Sequence, residues 1–298
     1  MNSLELVNKL YKPYRITKKD DCTIIDSTEG KFVIKPKGKK DIKEIYNYLK
    51  ARDFDNFPEI VDASRSDIDI FEYVEGSVMP KEQKAQDMIK LVAKLHAKTS
   101  FVKTVREDKF KEIYENIKEN LAYHKDEYNK LISEIEEEVF MSPSHYLFIR
   151  NSSKLLSEIN FCESKLDDWY KKVEKKRETR VSLVHNNLSL KNYVRGKKEV
   201  LLSWENATTD SPILDFYGFY KSEALNLEFK SLLELYLKHY PLDEEELDLL
   251  LLMICLPPDI KFTDDEFSSC ENVEKVIDYV FMTEELVRPY YLKDDEIE

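Results

Sequence analysis

The sequence predicts an α+β protein in two parts, a small β-rich lobe over residues 1–76 and a larger, mostly helical lobe over residues 77–298. Three observations predict it. Apolar residues alternate at strand period between residues 14 and 35, and short strand-like runs recur at Phe57–Ala63 and Asp69–Val74. From Glu82 the period turns helical, and it reverts to short strands only across residues 181–205. Hydrophobic residues make up 42% of the 298, enough for a core and too many for wholesale disorder.

The elements follow in order. Cys22-Thr-Ile-Ile-Asp-Ser reads as a strand, Thr28-Glu-Gly30 as a turn, and Lys31–Lys35 as the returning strand closed by Pro36. Asp41–Arg52 is helical, with Ile42, Ile45, Tyr46 and Leu49 on one face. Two short strands and the turn Glu75-Gly76 complete the N-terminal lobe. Glu82–Lys98 places Met88, Leu91, Val92 and Leu95 at helical spacing. Val102–Arg180 reads as two or three long amphipathic helices with a break near Met141-Ser-Pro143. Strand-like runs at 181–184, 192–194 and 199–202 precede a helical remainder from Ile213.

Charge is uneven. From Pro241 onward there are 18 acidic and 4 basic residues, whereas the first 240 residues hold 41 and 42. The segment 241–298 is therefore an acidic helical surface, and a candidate docking face for a basic protein partner. A net charge of −13 argues against nucleic acid as a partner. Cys22, Cys162, Cys255 and Cys270 have no metal-ligand spacing and read as isolated thiols in a reducing compartment, which places the protein in the cytoplasm. His124, His145 and His239 form no cluster. The N-terminus lacks the apolar stretch of a signal peptide, and the longest apolar run, Leu249–Leu256, is too short to span a bilayer. Only 5 glycines occur, and none lies between Tyr14 and Ile25, which removes a Gly-rich phosphate loop.

The informative stretch is His185-Asn-Asn-Leu-Ser-Leu-Lys-Asn192, then Leu201-Leu-Ser203-Trp-Glu205-Asn-Ala207, then Ser211-Pro-Ile-Leu-Asp215-Phe. It resembles the aminoglycoside phosphotransferase and choline kinase-like family, whose catalytic loop reads H-G-D-L-x-x-x-N and whose metal motif reads I-D-F/W-E/D-x-A. Phe71-Glu-Tyr-Val-Glu-Gly76 resembles the strand joining the lobes, Leu91–Thr99 the L-A-x-L-H-x-x-T helix end, and Phe32–Lys35 the strand bearing the phosphate lysine. The likeness covers residues 14–240. It implies a two-lobed, protein-kinase-like fold with ATP and Mg2+ as cofactors. The helical insert and acidic tail resemble the spore-coat-associated branch.

The resemblance also implies roles. Lys35 is the phosphate lysine, and Glu44 its ion-pair partner from the next helix, with Asp41 as the alternative. Glu72, Tyr73 and Val74 are the adenine edge, where backbone groups read the base. Asn192 keeps a metal-binding position, His185 holds the loop, and Asp215 is a buried structural carboxylate. Two positions depart. Asn187 stands where the family has its catalytic Asp, and an amide is no general base; such assistance is worth on the order of 10²- to 10⁴-fold. Ser203 stands where the family has its metal-binding Asp, and a hydroxyl is a poorer ligand for a hard dication. Glu205, two residues on, offers a carboxylate to a metal instead. The sequence reading is a kinase-like pseudoenzyme that binds or scaffolds, with weak or no phosphoryl transfer. Its alternative is an active, atypical ATP-dependent phosphotransferase acting on a small-molecule hydroxyl.

Overall fold

The computed structural model describes residues 11–19, 22–38, 40–64 and 67–291. These fall into two compact units. One takes the chain up to Ser100 together with Ser182–Asp210, and the other takes Phe101–Val181 together with the chain after Asp210. This cut does not follow a boundary at residue 76. The helix after the N-terminal sheet and the segment resembling a catalytic loop both cluster with that sheet.

The first unit is built on five antiparallel strands in the order β1-β2-β3-β5-β4. Strands β1 (Arg15–Lys19), β2 (Cys22–Ser27) and β3 (Gly30–Pro36) form a meander. At its second turn Ser27 Oγ donates to the Gly30 carbonyl at 3.0 Å and accepts from Glu29 N at 3.2 Å. Gly30 has φ +140°, a conformation that side chains resist. Helix α1 (Ile42–Lys50) starts at Asp41, whose carboxylate accepts from Lys43 N at 2.9 Å, and it buries Ile42, Tyr46 and Leu49. β4 (Ile60–Asp62) and β5 (Ile68–Glu72) complete the sheet, both shorter than the apolar runs that predict them. Ile25, Ile34 and Ile70, from three adjacent strands, form the core of one face.

Helix α2 (Lys81–Thr99) buries Met88, Ile89, Leu91, Val92 and Leu95 in the same unit. After the second unit's first long stretch, β6 (Phe101–Thr104), α3 (Lys109–Glu136) and α4 (Pro143–Val173), the chain returns to the first unit along β7 (Glu178–Val184). There Leu183 N donates to Thr99 Oγ1 at 3.1 Å. The hairpin of β8 (Tyr193–Arg195) and β9 (Glu199–Leu201) follows, then β10 (Thr208–Asp210), which pairs with Ser182–Val184. Trp204, between β9 and β10, is 1% exposed and receives the ring edges of Phe54 and Phe57, while Tyr46 stacks on Phe57 at 4.0 Å.

The second unit is helical. Among its described residues the one strand pair joins β6 to Glu178–Val181. All four β6 residues are exposed, so the strand has no burial pattern and is held by pairing alone. The break near Met141 separates just two long helices. Ser142 caps α4 by accepting from His145 N, with Pro143 at the first turn. The helices α5 (Ile213–Glu223), α6 (Phe229–His239), α7 (Glu244–Cys255) and α8 (Glu266–Tyr291) follow. Phe216 is fully buried. Helix α7 opens with a capping box between Asp243 and Glu246, and Glu246 also carries Arg180. The acidic segment is therefore folded helix over Glu244–Cys255 and Glu266–Tyr291, its last seven residues lying outside the described ones, with Val273, Val276, Val280, Leu286 and Val287 of α8 buried. Asp215 is buried in the first turn of α5, near Tyr236; burial, then Tyr240 and Asp215, hold that phenol well above its ordinary value. Among the described residues no helix is long and apolar enough to cross a membrane.

Glu158 of α4 is buried beside the thiol of Cys255, itself against Cys162. Burial raises the Glu158 carboxyl, and Lys154 opposes the shift. A carboxyl raised on folding destabilises as pH climbs from the unfolded value, about 4.3, through the folded one. Glu158→Gln is therefore expected to melt above the native chain at pH 8, with the gap closing as the pH falls toward 4. A gap independent of pH would remove this assignment.

Candidate functional site

Lys35 is the centre of the site. It lies near the end of β3, and its ammonium donates to Ser203 Oγ and to Glu205 Oε1, each at 2.7 Å. Ser203 Oγ donates onward to Asn192 Oδ1 at 3.2 Å, and Asn192 Nδ2 donates to the Asn187 carbonyl at 2.9 Å. One hydrogen-bonded chain thus runs from the sheet through four of the singled-out positions to the backbone of the fifth, all inside the first unit.

Local structure explains the placement. Ser203 has φ 65° and precedes a single 3₁₀ turn, Trp204–Asn206, so its neighbours Trp204 and Glu205 leave in different directions. Trp204 goes into the core, where its Nε1 donates to the Leu201 carbonyl at 2.7 Å, and Glu205 reaches Lys35. His185 is fully buried, lies edge-on to Trp204 with centroids 4.8 Å apart, and donates from Nε2 to the Leu202 carbonyl at 2.8 Å. Asn186, at φ 55°, donates to Thr208 Oγ1 at 2.8 Å.

The ion pair expected between Lys35 and Glu44 is not the one formed. Glu44 is exposed in the first turn of α1, and Asp41, the alternative, caps that helix; the ammonium is already held by Glu205 and Ser203. At the expected adenine edge, Glu72 N donates to the Glu59 carbonyl and Tyr73 N to the Lys31 carbonyl, both at 3.0 Å. Those two amides are therefore engaged within the unit. Val74 is half-buried near Gly196. A cavity of about 370 Å³ opens at Glu72 and Tyr73, and its other charged walls are Glu29, Lys31, Glu59 and Glu75. Four glutamates against one lysine make this cavity net negative, which disfavours an anionic ligand there.

Three further residues build the site and carried no sequence signal. Asn56 donates from its side chain to the Glu199 carbonyl at 2.7 Å and accepts Leu201 N on its own carbonyl at 2.9 Å, which fixes the strand entering Ser203. Asp87 on α2 is buried and holds Arg195 at 2.7 Å. Asp69 faces Lys35 across the β3–β5 register; it is buried, and burial first, then Asp41 and Glu205, push its carboxyl up against the opposing pull of Lys37 and Lys43. An acid, an amide and a second acid at unrelated spacings form no recognisable pattern.

The hairpin after the loop is tightly docked on the segment following β5. Ser77 N donates to the Arg195 carbonyl at 2.8 Å, and a methyl group at Gly196 would stand 2.5 Å from the Glu75 carbonyl oxygen. Backbone cannot swing aside as a flexible side chain does. Gly196→Ala is expected to cost about 1–3 kcal/mol in urea unfolding; a neutral result would show that the segment yields freely.

The residues present fit a divalent cation poorly. Mg2+ is held by carboxylates and water in octahedral geometry. The set here is one carboxylate, Glu205, already paired with an ammonium, and the neutral oxygens of Ser203 and Asn192. Among the described residues no three His, Cys, Asp or Glu side chains converge on a point that could hold a metal.

No family model matches the sequence, and no curated protein matches it. Solved structures do. An aminoglycoside phosphotransferase from Alicyclobacillus acidocaldarius subsp. acidocaldarius DSM 446 aligns with a TM-score of 0.71, over 96% of this chain and 93% of its own, at 12% identity. The chain has an aminoglycoside phosphotransferase fold. A spectinomycin phosphotransferase, solved as an AMP-bound complex, also aligns, with a TM-score of 0.56, 94% and 97% coverage, and 12% identity. The phosphotransferase fold accounts for the antiparallel N-terminal sheet and the larger helical part. Chemistry has to be read from side chains, since one fold hosts many activities.

Proposed function

We propose that this chain is a kinase-like pseudoenzyme, a binding or scaffold protein that transfers phosphoryl groups weakly or not at all. One observation carries the reading. The Lys35 ammonium sits 2.7 Å from both Ser203 Oγ and Glu205 Oε1, so a tethered cation fills the place where an active relative would gather carboxylates around a diffusible one. Phosphoryl transfer depends on positioned groups that neutralise charge on the nucleotide. A lysine neutralised by Glu205 has less charge to offer. Asn187 gives the loop an amide where a base would be needed. A protein partner engaging the acidic C-terminal segment, and a cytoplasmic location, supported by four free thiols, belong to the same proposal.

The second reading, an atypical phosphotransferase, has Glu205 in its favour. It is a half-exposed carboxylate joined through Lys35 and Ser203 to Asn192, and it would become a metal ligand if Lys35 turned to a phosphate. Melting of the purified chain with ATP, ADP and Mg2+ in separate titrations separates the two. A ligand that binds only the folded state raises the melting temperature by mass action. No Mg2+-dependent ATP shift is expected at millimolar nucleotide. A Mg2+-dependent shift accompanied by ATP turnover would replace the pseudoenzyme with the enzyme.

A further inference from the structure

The turn between α3 and α4 carries three consecutive exposed apolar residues, Val139 (88% exposed), Phe140 (90%) and Met141 (40%). The start of α8 is tied to the start of α4, because Ser144 N donates to Glu266 Oε1 at 2.6 Å. Phe267, next in sequence and 78% exposed, therefore belongs to the same end of the second unit. Isolated exposed apolar residues need no explanation, but a consecutive run with a fourth at the same end of the unit marks an interaction surface.

The surroundings say what it fits. The apolar run follows Glu136-Glu137-Glu138, and Phe267 follows Asp264-Asp265-Glu266. Glu138 pairs with His145 at 2.9 Å, Glu266 holds Ser144, and Asp265 caps α8 through Ser268 N; Glu136, Glu137 and Asp264 are exposed. An apolar centre with an acidic rim favours a partner that is apolar inside and basic outside. A second copy of the same surface would set acid against acid, and anionic lipid would be repelled.

We propose that this end of the second unit docks a basic amphipathic helix of another protein, with Val139, Phe140 and Phe267 in its apolar stripe and Glu136, Glu137 and Asp264 facing its lysines or arginines. Helix-in-groove recognition reads such anchors at helical spacing. The proposal is independent of whether the first unit turns over nucleotide.

The test uses the full chain and a fluorescein-labelled amphipathic peptide of leucine and lysine, followed by anisotropy, beside the same peptide with glutamate for lysine. The lysine peptide is expected to bind and the glutamate peptide to fail. The triple variant Val139→Ser, Phe140→Ser, Phe267→Ser is expected to bind at least about 10-fold more weakly with unchanged melting, because apolar anchors dominate such interfaces. Val78→Ser, at an exposed apolar residue of the first unit, is expected to bind normally. Equal binding by the triple variant, or none by the native chain, overturns the proposal. So does a native dimer that the triple variant breaks by light scattering, which would make the surface a self-interface, or native binding to phosphatidylserine vesicles that the variant abolishes.

Discussion

Trp204→Ala is expected to remove about 3–5 kcal/mol of stability, the range for truncating a fully buried large aromatic. Trp204 is 1% exposed, its ring meets Phe54, Phe57 and His185, and its indole N–H is satisfied by the Leu201 carbonyl at 2.7 Å. The alanine leaves an apolar void and an unmatched carbonyl together, and the neighbouring rings come from separate chain segments that cannot all close on the gap. Ser203 and Glu205 flank this anchor, so the loss also loosens the Lys35 network. Urea unfolding measures it, and a loss below about 1 kcal/mol would mean that the rings repack.

The second large effect concerns chemistry. Asn187→Asp combined with Ser203→Asp is expected to create Mg2+-dependent ATP turnover at least about 10²-fold above that of the native chain, the lower bound for acid–base assistance. At φ 65° Ser203 occupies a conformation that Asp tolerates better than most side chains, so the exchange needs no change of backbone. The new carboxylate would stand between Lys35 and Asn192 and give a dication a second anionic ligand beside Glu205. If the native chain hydrolyses ATP as fast as the double variant, the pseudoenzyme reading is lost. A folded but inert double variant would show that these two positions are not what limits the chemistry.

Much of the architecture was legible because local patterns decide it. The strand Cys22–Ser27 is bounded as the sequence suggests, and helices α1 and α2 begin and end within a few residues of their apolar stripes. Strand β6 was not legible, since its four exposed residues have no inward face and exist as a strand only through β7. The site was legible in part. The spacing of Asn192, Ser203 and Glu205 in the motifs brought them together, and a single long-range pairing with β3 supplied Lys35. Which acid the lysine would choose was not. Glu44 and Glu205 are both plausible on charge, and the choice depends on the turn at Ser203, which no propensity encodes.

The Lys35 contact has a consequence for how the fold answers to its surroundings. A covalently tethered ammonium acts at an effective concentration in the millimolar range or above, set by the reach of its side chain and independent of the medium. Any free dication would have to displace it from Ser203 and Glu205 before gaining a ligand. The folded first unit should thus be indifferent to chelators and to swings in cellular magnesium, carrying its own fixed counter-ion in the sequence.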